Sequence, residues 1–334
     1  MCTSVKIQSK SGEFFWGRTM DLDIPMFPDD SGFYLPSMIT SLPSNTRIDS
    51  QLEGWDSKYA VIGVGMKDST VLFDGINEHG LTGDLQVLKE CGWASKESIA
   101  AKKKTPMLAE EFVSYVLSTF KSVAEIRKQF DEFMLLDQPY AYGGTDFHFP
   151  VHFSFVDETG DGIVLETLED GSFTIYDHIS IMTNSPRYDY HTTNIRNYIG
   201  LNNVNVTASK TLSTGAVIDP IEGGTGYGMF GLPGDYTSPS RFVRAFFLSN
   251  NLNAFSKEHG INELYSVFRT VFIPKGLERN EKNTNVSDYT RYWSGYDMSE
   301  RTVFVQTGKG LAITTAKLDD TIESVSYEKI KISL

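Results

Sequence analysis

Two cysteines are all that this chain of 334 residues contains, Cys2 and Cys91. Two give no disulfide framework, and such scarcity suits a reducing compartment. Basic charge is also short: 30 Lys and Arg stand against 43 Asp and Glu, for a formal net charge of −13. That balance opposes nucleic-acid binding, which draws most of its affinity from Lys and Arg at phosphates. The run Lys102-Lys103-Lys104 is too short to reverse it. No apolar run approaches the roughly 18 residues that a membrane helix needs, and Met1 to Phe15 holds no apolar core of signal-peptide length. The expectation is a cytoplasmic protein without membrane contacts. The six histidines include no His-Glu-x-x-His and no tight cluster with cysteine. His148 and His152 are separated by Pro150, which argues against one shared helical face. Gly223-Gly224-Thr225-Gly226 lacks the Lys-Ser/Thr ending of a phosphate loop. No metal and no organic cofactor is expected.

What the chain has is core-forming material, 40% hydrophobic and 13% aromatic. Thr3 to Ile7 alternates, Ser11-Gly12 turns, and Glu13 to Met20 runs back, the pattern of a hairpin. Further strand signals lie at Tyr59–Gly65, Thr70–Asp74, Val151–Val156, Gly162–Leu168, Ser172–Tyr176 and Ile179–Met182. Others follow at Thr302–Gln306, Leu311–Ala316 and Ile322–Tyr327. Helix signals are fewer. Thr105-Pro106 predicts a start that runs through Leu117, and Ser122 to Glu125 is a capping box for a helix through Phe133. Pro239 to Leu248 and Ile261 to Val271 are the others. Strand groups alternating with helix pairs suit antiparallel sheets flanked by helices, an α+β layered fold. No composition break divides residues 1–334, so a single domain is expected. Residues 194–225 are polar and irregular and read as a loop or assembly arm.

Cys2 directly follows the initiator Met. Aminopeptidases remove Met1 readily when the second residue is small, which leaves a thiol and a free α-amine on one residue. Nucleophile and base can then come from Cys2 alone, the logic of N-terminal-nucleophile hydrolases. Five segments add to this: Met1-Cys2-Thr3-Ser4, Gly17 to Asp21 (GRTMD), Asp74 to Leu81 (DGINEHGL), Met182 to Pro186 (MTNSP) and Gly231 to Phe242 (GLPGDYTSPSRF). In order and spacing they resemble the choloylglycine hydrolase family, the bile salt hydrolases and penicillin V acylases. The resemblance implies the αββα four-layer sandwich of the Ntn hydrolases and a homotetramer, with 194–225 as the arm.

It also implies roles. Cys2 is the nucleophile, Asp21 holds the Cys2 amine or thiol region, Arg18 favours the thiolate, and Arg241 completes the charged cluster. The Asn184 amide serves the oxyanion. Without the resemblance, Asn184 reads first as a turn residue before Pro186, and the role of Arg241 competes with that of a helix-start residue packing on a carboxylate. One position departs from the pattern. Where bile salt hydrolases usually carry Asn and many penicillin V acylases Tyr, this chain has Val87. Its backbone N–H remains available as an oxyanion donor, its side chain offers none, and on a strand Gln86 faces the other way. Apolar Leu22, Ile24, Met26 and Phe27 read either as acyl-pocket or as core residues. The implied activity is hydrolysis of a linear amide between an apolar acyl group and a small amine. Penicillin V is the preferred substrate, on the likeness of the Met182, Tyr190-His191 and Gly234-Asp235-Tyr236-Thr237 segments to that branch. The alternatives are conjugated bile salts, other N-acyl amides, and a non-catalytic homologue used for binding.

Overall fold

The computed structural model describes residues 1–28 and 34–333. Two sheets dominate it. In chain order their strands are β1 (Cys2–Gln8), β2 (Phe14–Leu22), β3 (Ser37–Leu42), β4 (Val61–Met66), β5 (Leu72–Asn77), β6 (Thr82–Val87), β7 (Val151–Val156) and β8 (Gly162–Thr167). Then come β9 (Phe173–Asp177), β10 (Ile181–Met182), β11 (Glu278–Asn280), β12 (Asn283–Asp297), β13 (Thr302–Thr307), β14 (Ile313–Lys317) and β15 (Ser326–Lys329). The first sheet runs β10-β1-β2-β12-β13-β14 with β11 beside β12; the second runs β9-β8-β7-β6-β5-β4-β3-β15. Every pairing within them is antiparallel.

Helices cover the outer faces. These are α1 (Phe112–Thr119), α2 (Val123–Gln129), α3 (Tyr188–Asn194), α4 (Ser238–Asn250) and α5 (Gly260–Phe268). α1 packs on β4, β5 and β6, while α4 and α5 pack on β1, and α5 also on β2 and β12. The result is the expected αββα sandwich. Strand alternation builds it: on β2, Trp16 and Met20 join the core between the sheets and Phe15 joins the core under α4 and α5. Gly17 allows the close approach of β12, since a Cβ there would lie 2.2 Å from the Ser294 carbonyl oxygen.

Several elements differ from the sequence reading: β3, β6 and α3 had no signal there, and three further differences have a physical reason. Thr105–Met107 is a short strand parallel to Phe133–Leu135, and the helix begins only at Phe112. Pro106 has a fixed φ that an edge strand accepts as well as a first helical turn does. Half of the capping box forms, with Ser122 Oγ accepting from the Glu125 N–H while the Glu125 carboxylate accepts from the Lys121 N–H, and the helix it opens ends at Gln129. The long strand β12, polar in its first half, gave no strand signal and yet sits beside β2 in the middle of the first sheet.

Residues 194–225 carry two exposed short strands, Lys210–Thr211 and Val217–Ile218, paired with each other. The segment is not purely polar: Ile199, Val217 and Ile221 are exposed there, with Phe230 just beyond. No helix among the described residues is long and apolar enough to cross a membrane.

Candidate active site

Antiparallel pairing sets Cys2 opposite Met20 and Ser4 opposite Arg18. Paired residues share a face, so Cys2, Arg18 and Met20 all point between the sheets. There Arg18 Nη2 donates to Cys2 Sγ at 2.5 Å, and Met20 Sδ lies 3.9 Å from the same sulfur. Arg18 is fully buried, and its Nη1 donates to the Phe73 and Leu85 carbonyls at 3.1 and 2.7 Å. Asp84 lies 3.9 Å from its Nε. Asp74, nearby, accepts from the hydroxyls of Tyr292 and Tyr296. Burial opposes the Arg18 charge, but the Cys2 sulfur, Tyr292, Asp84 and Asp74 outweigh it, and its pKa is raised. Burial pushes both carboxyls up, with Arg18 pulling them back. A cation locked against a sulfur in this low-dielectric space stabilises negative charge on it.

The backbone of Cys2 is held from the opposite side. Its N–H donates to Asn184 Oδ1 at 2.7 Å, and Arg241 Nη2 donates to the same oxygen at 2.8 Å. Arg241 Nη1 donates to Thr3 Oγ1 at 2.6 Å and also to the Cys2 carbonyl. Arg241 therefore braces the main chain of Cys2 and not its sulfur. Burial lowers the Arg241 pKa, and Asp21 and Cys2 oppose that shift. Because Oδ1 accepts twice, the Asn184 amide has one orientation, and its Nδ2 donates to the Val87 carbonyl at 2.9 Å.

Val87 faces this amide for a reason of register. Leu88 N–H donates to the Pro150 carbonyl at 2.8 Å, so Val87 and Val151 form a pair without mutual hydrogen bonds. The Val87 N–H then points away from β7, on the side where Asn184 lies. Gln86 is turned to the other face of β6, that of Asp84, to which its Nε2 donates at 2.7 Å, and it too borders the cavity at the Cys2 sulfur.

Asp21 sits beyond a bulge between Met20 and Asp21, which brings it opposite Thr290. Its carboxylate accepts from the hydroxyls of Thr19 and Thr290. Its link to the terminus is through the backbone: Asp21 N–H donates to the Met1 carbonyl at 2.7 Å, and the Met1 ammonium donates to the Asp21 carbonyl. Met1 thus extends β1 past Cys2, and loss of Met1 would free the Cys2 nitrogen as an amine beside Asn184 Oδ1. Leu22 borders the cavity at the Cys2 sulfur, together with Leu85, Val87 and Val151. The other three acyl-pocket candidates do not. β2 ends at Leu22, the chain turns inward, and Met26 and Phe27 are core residues against which Ile24 packs.

Sequence reasoning missed the residues that hold Asn184. Ser238 Oγ accepts from the Asn184 N–H at 2.9 Å, and His191 Nε2 lies 2.8 Å from the Asn184 carbonyl. Burial pushes His191 down to about 4, against the pull of that carbonyl, so it is a neutral donor at pH 7. His152 spans the Thr183 carbonyl at 2.7 Å and the Glu166 carboxylate at 3.1 Å. The signals were present, since Ser238 and His191 lie inside segments already singled out, but neither has a chemical signature of its own.

Residues 2–326 match the linear amide C-N hydrolases, choloylglycine hydrolase family. The chain belongs to the choloylglycine hydrolase family. It is therefore a hydrolase of carbon–nitrogen bonds in linear amides. A bile salt hydrolase/transferase of Clostridium perfringens is 29% identical over 297 residues, 87% of this chain and 85% of that protein. A bile salt hydrolase/transferase of Lactiplantibacillus plantarum is 29% identical over 98% of this chain and 96% of its own. A penicillin V acylase of Pectobacterium atrosepticum is 27% identical over 66% of this chain and 57% of its own. Among solved structures, a variant of the conjugated bile acid hydrolase from Clostridium perfringens superposes with a TM-score of 0.85 at 25% identity, covering 100% of this chain and 98% of that one. The penicillin V acylase of Agrobacterium tumefaciens shares the fold, with a TM-score of 0.69 at 21% identity over 95% of this chain and 86% of that one.

Proposed function

We propose that this member of the choloylglycine hydrolase family works through Cys2 and that conjugated bile salts are its first-ranked substrates. The observation that carries the chemistry is the convergence on one residue: Arg18 Nη2 meets the sulfur at 2.5 Å while Asn184 Oδ1 receives the nitrogen at 2.7 Å. After loss of Met1 the thiol proton passes to the Cys2 α-amine, and Sγ attacks the amide carbonyl. Asn184 Nδ2 and the Val87 N–H are the donors for the oxyanion; losing one such donor costs roughly 10²–10³ in rate. The C–N bond breaks as the ammonium of Cys2 protonates the leaving amine. Water then cleaves the thioester, releasing the acid and restoring the thiol. Asp21 acts by holding the strand end, and Arg241 by fixing Cys2 and Asn184 together.

The substrate ranking reverses the one that the sequence segments suggested. The bile salt hydrolases align over nearly their whole length, whereas the penicillin V acylase aligns over 57% of its own. Val87 costs little in this reading, because the oxyanion donor at that position is a backbone group. Assembly into a homotetramer through the exposed segment 194–225 belongs to the same proposal, supported by its uncovered apolar side chains.

The test is amine release by the Met-free protein from glycocholate, taurocholate and penicillin V in parallel, with Cys2→Ala as the blank. Dominant glycine or taurine release is expected. Dominant release of 6-aminopenicillanic acid would restore the acylase ranking. Activity in Cys2→Ala above background would sink the mechanism.

A further inference from the structure

A buried pair of titratable side chains, His152 and Glu166, stands outside the proton path from Cys2 Sγ to the Cys2 amine. They are 1% and 0% exposed. β7 and β8 pair in the register that sets Phe153 opposite Leu165, so His152 and Glu166 are neighbours on one face. On the other side of β7, Gln86 pairs with His152 and Asp84 with Ser154, and Asp84 meets Arg18 of the first sheet. That face therefore looks across to the first sheet. His152 reaches over to the turn after β10, which is the edge strand there.

At that turn His152 Nε2 lies 2.7 Å from the Thr183 carbonyl oxygen. At the other end of the same peptide unit, the Asn184 N–H donates to Ser238 Oγ at 2.9 Å. The peptide is gripped at both ends, directly before the side chain whose Oδ1 meets the Cys2 N–H and whose Nδ2 meets the Val87 carbonyl.

Proton counting gives the state of the pair. A carbonyl oxygen only accepts, so Nε2 carries a proton. A neutral imidazole has one N–H, and that one is now used. Nδ1 lies 3.1 Å from Glu166 Oε1, so a further proton is shared between them. Glu166 Oε1 also accepts the Tyr188 N–H at 2.9 Å, and Arg187 Nη1 stands 3.5 Å from Oε2. Both favour a carboxylate, which leaves the shared proton on the imidazole. The hydrogen bond to Thr183 then comes from a charged donor, and such bonds are roughly twice as strong as neutral ones.

We propose that His152, held as an imidazolium by Glu166, is a positioning residue for the reaction: it fixes the Thr183–Asn184 peptide and so aims the Asn184 amide at the oxyanion. This rests on the oxyanion role of Asn184 given above.

The test uses whichever of glycocholate, taurocholate and penicillin V the Met-free wild type hydrolyses fastest. His152→Gln keeps a neutral donor and removes the ion pair. Glu166→Gln keeps the shape and removes the negative charge. Each is expected to lower kcat by about tenfold to 10²-fold with KM little changed, the loss that a misplaced group produces. Alkylation of Cys2 by iodoacetamide should keep its wild-type rate, because the sulfur is held by Arg18. Added to Asn184→Ala, either substitution should cost less than about twofold, since it acts through an amide already removed. Nitrogen-15 spectra of labelled histidine should show both ring nitrogens of His152 protonated at pH 7. A bare ring nitrogen on His152 overturns the inference. So does a loss that adds in full to that of Asn184→Ala, and so does alkylation slowed in step with kcat, the mark of a merely structural defect. Should His152→Gln fail to fold, Glu166→Gln and the spectrum decide. A kcat untouched by Asn184→Ala overturns the oxyanion reading and this inference with it. A large fall in Asn184→Ala beside wild-type kcat in both other variants overturns this inference alone.

Discussion

Arg18 is the residue on which both the proposed chemistry and stability turn. It is the cation facing Cys2 Sγ, and it is also the counter-charge of buried Asp74 and Asp84. Arg18→Met leaves those carboxyls without it, and removing one partner of a buried ionic group costs about 3–5 kcal/mol. We expect a lower midpoint in urea and a loss of rapid Cys2 alkylation by iodoacetamide at neutral pH. An unchanged midpoint would show that Asp74 and Asp84 carry no charge. Glu110 allows a signed pH prediction. Its carboxyl is raised from 4.5 to about 7, so between those values the folded state binds the extra proton. Stability from this group therefore falls as pH rises from about 4.5 to about 7, by about 3 kcal/mol at most. His191, lowered to about 4, slopes the other way in the overlapping window, and half-buried Glu278, raised to about 7, slopes the same way. The difference between wild type and Glu110→Gln isolates Glu110: the variant should lose less stability from pH 5 to pH 8. Parallel curves would refute the raised carboxyl.

At the scale of elements, the site joins the start of β1, the end of β6, the turn after β10 and the first turn of α4. Ser238 opens α4 and ties it to the turn by accepting the Asn184 N–H and bonding the Asn184 carbonyl. Ser238→Ala should loosen the Asn184 backbone, and with it the placement of the side-chain amide, without removing that amide. The expected effect is a fall in kcat of about tenfold, short of the roughly 10²–10³ for a lost donor, with KM little changed. A rise in KM at constant kcat would assign Ser238 to substrate binding. The strand pairs were legible where turn chemistry and alternation agree, as in β1–β2. β12 was not, because its first half is polar and half exposed and only its pairing partners make it a strand. The helix expected from Thr105 was misread at its start because Pro106 fits an extended edge as well as a first turn.

At the scale of the molecule, an acidic chain leaves a group of apolar side chains uncovered in and just after residues 194–225. Ile221 is 73% exposed and Phe230 81%. Paired Ile221→Asp and Phe230→Asp substitutions should shift the mass found by size-exclusion light scattering from that of the proposed tetramer toward smaller species while Cys2 alkylation persists. A wild type that is already monomeric would remove the assembly role of the arm.

The sequence by itself determined the family and the hairpin that carries the proposed nucleophile: Cys2, Arg18 and Asp21 lie within a single β-hairpin. The opposing set was legible only through motif likeness. Asn184, Arg241 and Val87 reach Cys2 across long stretches of chain, and antiparallel sheets create such meetings by pairings that no local pattern encodes. Tertiary structure alone decided that Arg241 braces the backbone, that Met26 and Phe27 are core, and that Glu110 is buried against the Phe149 N–H. Those outcomes depend on which faces two sheets turn toward each other, and that is set by packing over the whole molecule.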